Sequence, residues 1–260
     1  VIPALDASGT LDLDNPDLPP PEVPSEEILD GGPPPDGIPP IDEPAFLTVD
    51  EVDFLTDTEP VISLEMGSEA RAYPLQFLIW HEIVNDTVDD VPVAVTYCPL
   101  CNSAFVWDRR LDDRVLSFGT SGKLWNSSLV MYDRQTRSLW AHFTGDAIAG
   151  HLTGSHLDSI PTQIVSWDDF RRARPDGLVL SRSTGERRPY GDNPYPGYDD
   201  VNSGPIFDVS GDDDRLAAKE RVVGIVENGD AVAVLLEELR ERGVVTVDLA
   251  GREVLVLWSA

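Results

Sequence analysis

From Ala45 onward the chain is written in short apolar runs: "VISLEM", "RAYPLQFLIW", "VPVAVTYC", "SAFVW" and "SLVMY". Gly, Pro, Asn and Asp break them up. Runs of this length bounded by turn formers predict strands with few helices, so the expected class is α+β and β-rich. Residues 59–98 align without gaps with residues 220–259. Glu59, Val61, Ala70, Ala72, Leu75, Leu78, Val84 and Val95 recur as Glu220, Val222, Ala231, Ala233, Leu236, Leu239, Val245 and Val256. Turn pairs match as well, Gly67-Ser68 with Asn228-Gly229 and Asp89-Asp90 with Ala250-Gly251. Asn-Gly is a strong hairpin signal, and "LLEELRERG" reads as a short helix closed by Gly243. Two similar ββαββ units are therefore expected at about 59–98 and 220–259, flanking a long mixed insert.

The repeat separates folding positions from chemical ones. Apolar positions agree between the copies, whereas His81 faces Arg242, Asn85 faces Thr246 and Cys98 faces Ser259. Cys101 has no counterpart. Where the first copy carries reactive side chains and the second does not, chemistry is expected.

Composition adds three constraints. Residues 1–45 hold eleven Asp/Glu, many prolines and no Lys or Arg. Such a stretch cannot bury enough apolar surface to fold alone and is biased to extended backbone. It reads as a disordered or extended tether, with residues 46–260 as a single domain. The net charge is −28, with Lys123 and Lys219 the only lysines. That field repels phosphate backbones and anionic lipid, which argues against nucleic-acid partners. It fits either a protein held soluble at high salt or an acidic protein from a GC-rich genome. No run of 18 apolar residues exists, so no membrane-spanning helix is expected. The chain opens at Val1, which is compatible with loss of an export signal or anchor.

Both cysteines sit in "VAVTYCPLC". A disulfide between them would close only a tiny loop and restrict the unfolded chain little. With Asp89-Asp90 as a two-residue hairpin loop, Asn85 falls opposite Ala94, Ile83 opposite Thr96 and, if the ladder continues, His81 opposite Cys98. Directly opposed side chains lie about 4.5–5.5 Å apart. A His81–Cys98–Cys101 cluster would bind a soft metal, copper in preference to zinc. Alternatively the cysteines form a thiol–disulfide redox pair, or a structural disulfide in a ligand-binding module with no metal. Met131 is a candidate soft fourth ligand, and as readily a core residue.

The run from Ser117 to Gly150 mixes small polar residues with aromatics, as pocket loops do. "GTSGK" fails as a phosphate loop, because two residues rather than four separate its glycines and Leu124 follows the lysine. Ser121 is a candidate nucleophile and Asp133 a candidate general base, each with a plainer reading as a turn residue. His142, His151 and His156 read as surface histidines. The loop at 188–215 could cover the site with Tyr195 and Tyr198.

"HEIVND", the CPxC run, "FGTSGKLWNSSLVMYDRQTRSLWAHFTGDAIAG" and "SWDDFRRARPDGLVLS" together resemble the family called domain-of-unknown-function 3179. Its signature maps onto His81, Glu82, Asn85, Asp86, Cys98, Pro99, Cys101, Asp133, Thr136, Ser138 and Trp140. Glu82, Asn85, Asp86, Thr136, Ser138 and Trp140, with Asn126 and Met131, form the expected pocket. The resemblance implies a secreted or lipid-anchored, cell-surface protein and supplies no reaction.

Overall fold

The structure is a computed structural model that describes residues 5, 11–209, 211, 214–227 and 229–258. Asn228 and Ser259, which figure in the expected repeat, lie outside these residues. Contacts divide the chain into two compact units, one of residues 1–196 with 206–210, the other of 197–205 with 211–260.

At the centre of the first unit is a four-stranded sheet. It is ordered β14 (Ser159–Ile160), β7 (Ser103–Asp108), β6 (Val91–Cys98), β5 (Ile83–Val88). Strand β6 is buried on both faces. Val93, Val95 and Tyr97 enter one apolar cluster, while Ala94 and Cys98 enter another. Two-sided burial explains why "VPVAVTYC" is a near-continuous apolar run rather than an alternating one.

The first face packs on a sheet ordered β15 (Thr162–Ser166), β3 (Pro60–Met66), β4 (Glu69–Pro74), β16 (Leu178–Leu180), β2 (Phe46–Thr48). It also packs on helix α1 (Leu75–His81), through Ile62, Leu64, Tyr73, Phe77 and Leu78. A second helix, α2 (Trp167–Ala173), is capped by Ser166 accepting from the Asp169 N–H. The other face packs on a sheet ordered β1 (Ile28–Asp30), β10 (Phe118–Trp125), β11 (Ser128–Asp133), β12 (Leu139–Ala141), β13 (Ala147–Ala149). Phe118, Leu129, Met131 and Trp140 supply that contact.

The hairpin between β5 and β6 turns at Asp89-Asp90, both with positive φ, as a two-residue loop that matches strand twist requires. The ladder pairs Asn85 with Ala94 and Ile83 with Thr96, the expected register. It ends there. Helix α1 runs through His81, and Glu82 breaks it with φ of 59°, so His81 never reaches a strand position opposite Cys98.

Residues 28–45, expected as part of a tether, lie along the first unit. Strand β1 pairs with β10, and Ile41, 1% exposed, is clamped between the Ile83 carbonyl and the Asn85 N–H. Gly122 (φ 75°) makes this approach possible, since a Cβ there would stand 1.8 Å from the Pro33 carbonyl oxygen. At Gly119 a Cβ would meet Asp36. The glycines of "GTSGK" thus admit the proline segment; they cradle no phosphate.

Asp133 ties the turn after β11. Its carboxylate accepts from the Thr136 N–H (2.6 Å), the Thr136 hydroxyl (2.8 Å) and the Trp140 indole (3.0 Å). The Thr136 and Ser138 hydroxyls are 2.7 Å apart, and Ser138 Oγ accepts from the Leu152 N–H. This fully buried network is an Asx turn with an anchor, and it occupies the carboxylate expected as a general base.

In the second unit, β17 (Val222–Glu227) pairs with β18 (Asp230–Leu235), helix α3 (Leu236–Arg242) follows, and β19 (Val244–Leu249) pairs with β20 (Arg252–Leu257). Gly243 ends the helix in the left-handed conformation. Val234, Leu239, Val245 and Val256 form a small core. The last short hairpin, β8 (Arg110–Leu111) with β9 (Arg114–Val115), belongs to the first unit. The succession strand, strand, helix, strand, strand in the second unit is also that of residues 60–98.

Replacing Asp133 with Ala leaves the Trp140 and Thr136 donors buried without an acceptor. The expected loss is about 3 kcal/mol, read as a lower denaturant midpoint with an unchanged slope.

Candidate metal centre

Cys98 closes β6, paired with Ser103 at the start of β7. The intervening turn carries Cys101 and closes through Asn102 at φ 45°. His142 follows β12. Alternation along that strand puts Trp140 on the face that packs with Cys98, and His142, two residues on, shares that direction. Main-chain bonds from one residue of β11 fix both partners. The Leu129 N–H donates to Cys98 Sγ (3.4 Å), and the Leu129 carbonyl accepts from the His142 N–H (3.1 Å).

The ligating atoms of Cys98, Cys101 and His142 all lie within 4.8 Å of one another. Donors sharing one zinc ion at the usual bond lengths stand about 3.5–4 Å apart, so a small closure suffices. Cys98 is 1% exposed and His142 is fully buried. Cys101 lies at the surface, with Sγ 3.0 Å from the Ser103 hydroxyl and 3.6 Å from that of Ser128. Both cysteines are free thiols. The His142 ring packs edge-on to Phe105, yet neither ring nitrogen has a hydrogen-bond partner.

The two sulfurs differ electrostatically. The adjacent Cys98 sulfur, then His142 and Ser103, lower Cys101 to about 4. Burial, reinforced by Cys101, pushes the Cys98 thiol well up. Beside them the buried Glu82 carboxyl is raised to about 8, by desolvation and then by the negative Cys101. The Tyr195 phenol, also raised by burial, senses Glu82 and Cys98. Tyr198 belongs to the second unit.

His81, the expected ligand, is elsewhere. Its Nδ1 is 2.7 Å from the Pro39 carbonyl and its Nε2 is 2.6 Å from the Tyr190 hydroxyl, and burial lowers its pKa. Both ring nitrogens are committed to holding the N-terminal segment and the Tyr190 loop. Asn85 is a bridge, donating to Asp42 and to the Phe118 carbonyl and accepting from the Phe118 N–H. Asp86 accepts from Arg71 (2.6 Å) and Tyr73 (2.7 Å) on the opposite face. Ser121 sits in the β10 bulge, where its hydroxyl donates to the Val130 carbonyl and accepts from the Lys123 N–H. Both bonds hold the bulge. Asn126 and Ser127 form the β10–β11 turn with positive φ. Met131 is fully buried in the apolar cluster that includes Cys98. His156 pairs with Asp146 at the surface. Of His81, Cys98 and Cys101, only the cysteines meet. The missed one, His142, could have been found by counting alternate positions onward from Trp140.

The chain belongs to the family described as "Protein of unknown function (DUF3179)", whose model matches residues 35–260. No curated protein and no solved structure matches it.

The Glu82 shift has a sign. With its folded pKa raised from 4.5 to about 8, the neutral acid stabilises the fold fully below about pH 4.5, and that contribution is lost as pH rises through 8. Glu82→Gln is expected to flatten the decline in melting temperature between pH 5 and 9. An equally steep decline in the variant would refute the assignment.

Proposed function

We propose that this protein binds a soft transition-metal ion, copper in preference to zinc, through Cys98, Cys101 and His142. The carrying observation is the His142 imidazole, buried beside two sulfurs with both nitrogens unpartnered. A buried polar group without a partner costs about 1–3 kcal/mol, and an ion bound between the ring and the sulfurs removes that cost. Two thiolate donors with one imidazole suit trigonal Cu(I), or Zn²⁺ with one open position. Cys101, whose thiol its neighbours hold below the usual range, is ready to ligate, and the Cys98 proton leaves as the ion enters.

On this reading the stretches 59–98 and 220–259 are copies of one ββαββ unit, and only the first has kept reactive side chains. We place the protein outside the cytoplasm, at the cell surface. The family resemblance supports that placement.

Protein purified without chelator, or reconstituted with Cu(I) under anaerobic conditions, is expected to hold about one ion per chain by elemental analysis. Cys98→Ser and His142→Ala should lose it, while His81→Ala keeps it. Retention in His142→Ala together with loss in His81→Ala would overturn the ligand set.

A further inference from the structure

We propose that Cys98 and Cys101 also act as a dithiol that reduces disulfides, Cys101 attacking and Cys98 resolving. The inference shares its sulfurs with the metal reading but needs no metal.

The two sulfurs lie within 4.8 Å of each other, across a turn whose flanking residues Cys98 and Ser103 are a registered pair. Closing to the disulfide length of about 2.05 Å takes a shift of less than about 3 Å. Their accessibility is opposite. Cys101 is exposed, whereas Cys98 is 1% exposed, part of the apolar cluster, with Leu129 N–H on its sulfur. An outside disulfide can meet Cys101 and cannot meet Cys98. This asymmetry is what separates an attacking from a resolving thiol. The motif lies in a β-hairpin turn, so no helix N-terminus assists Cys101. The Ser103 and Ser128 hydroxyls at 3.0 and 3.6 Å stand where such help would come from.

The chemistry balances. The Cys101 thiolate attacks one sulfur of RS–SR, the S–S bond breaks, and RS⁻ leaves a mixed disulfide on Cys101. Cys98 then attacks Cys101 Sγ, and its proton passes to the first RS⁻ while a second RS⁻ departs. The protein dithiol is oxidised by two electrons and the small disulfide is reduced to two thiols. With a net charge of −28, the protein attracts cationic disulfides and repels anionic ones. Cystamine is therefore the suitable probe.

The test uses the full chain, reduced, freed of metal and kept anaerobic, then mixed with cystamine and followed by mass spectrometry. The wild type should end as an internal disulfide with no adduct. Acid quenching at early times should trap one cysteamine on Cys101. Cys98→Ser should stop with that adduct, and Cys101→Ser should stay unmodified while folded. Stable adducts on the wild type, or first capture on Cys98, would overturn the proposal. The wild-type quench decides the matter even if a variant fails to fold. A second portion of the same preparation, reconstituted with Cu(I) under anaerobic conditions and read by elemental analysis, keeps the two readings apart. Closure without metal binding sinks only the metal site, and metal binding without closure sinks only the dithiol.

Discussion

The site depends on one strand being buried on both sides. Strand β6 has no solvent face from Val93 to Cys98, where Val93, Val95 and Tyr97 enter one apolar cluster and Ala94 and Cys98 the other. Alternation then decides where Cys98 points, and a slip of one residue would send its sulfur to the opposite cluster. That register is held at one end by the left-handed pair Asp89-Asp90 and at the other by pairing with β7. The Cys101 turn begins where the ladder ends, so the second sulfur inherits its position from the first.

The same layering supplies the imidazole. Sheets on either side of an interior strand bring residues distant in sequence to its end. Here Leu129 joins them, with its N–H on one ligand's sulfur and its carbonyl on the other ligand's backbone. The polar residues of the neighbouring motif serve this assembly. Asn85 fastens β5 to Phe118 of the next sheet, and Asp133 pins Trp140 two positions before His142. They shape the centre without entering it.

Much of this was legible in the sequence, and the failures share a cause. The two-residue turn fixed the β5–β6 pairing by arithmetic, and the unbroken apolar run of β6 marked an interior strand. The ladder was carried two residues too far because "LQFLIWH" satisfies helical as well as extended spacing. Glu82, whose positive φ breaks the chain there, gives no local sign of doing so. His142 looked like a loop residue because its burial comes entirely from strands folded elsewhere. The proline-rich segment looked detachable because composition counts its few apolar residues and misses where they land. Ile28 and Ile41 are both buried.

That segment has a mechanical side. From Ile28 to Ile41 it is joined laterally to β10 and β5, through Gly31 to Gly122, Asp36 to the Thr120 carbonyl, and Ile41 to Ile83 and Asn85. Tension applied at the N-terminus would meet the bond from Glu22 to Ile148 first and these bonds after it.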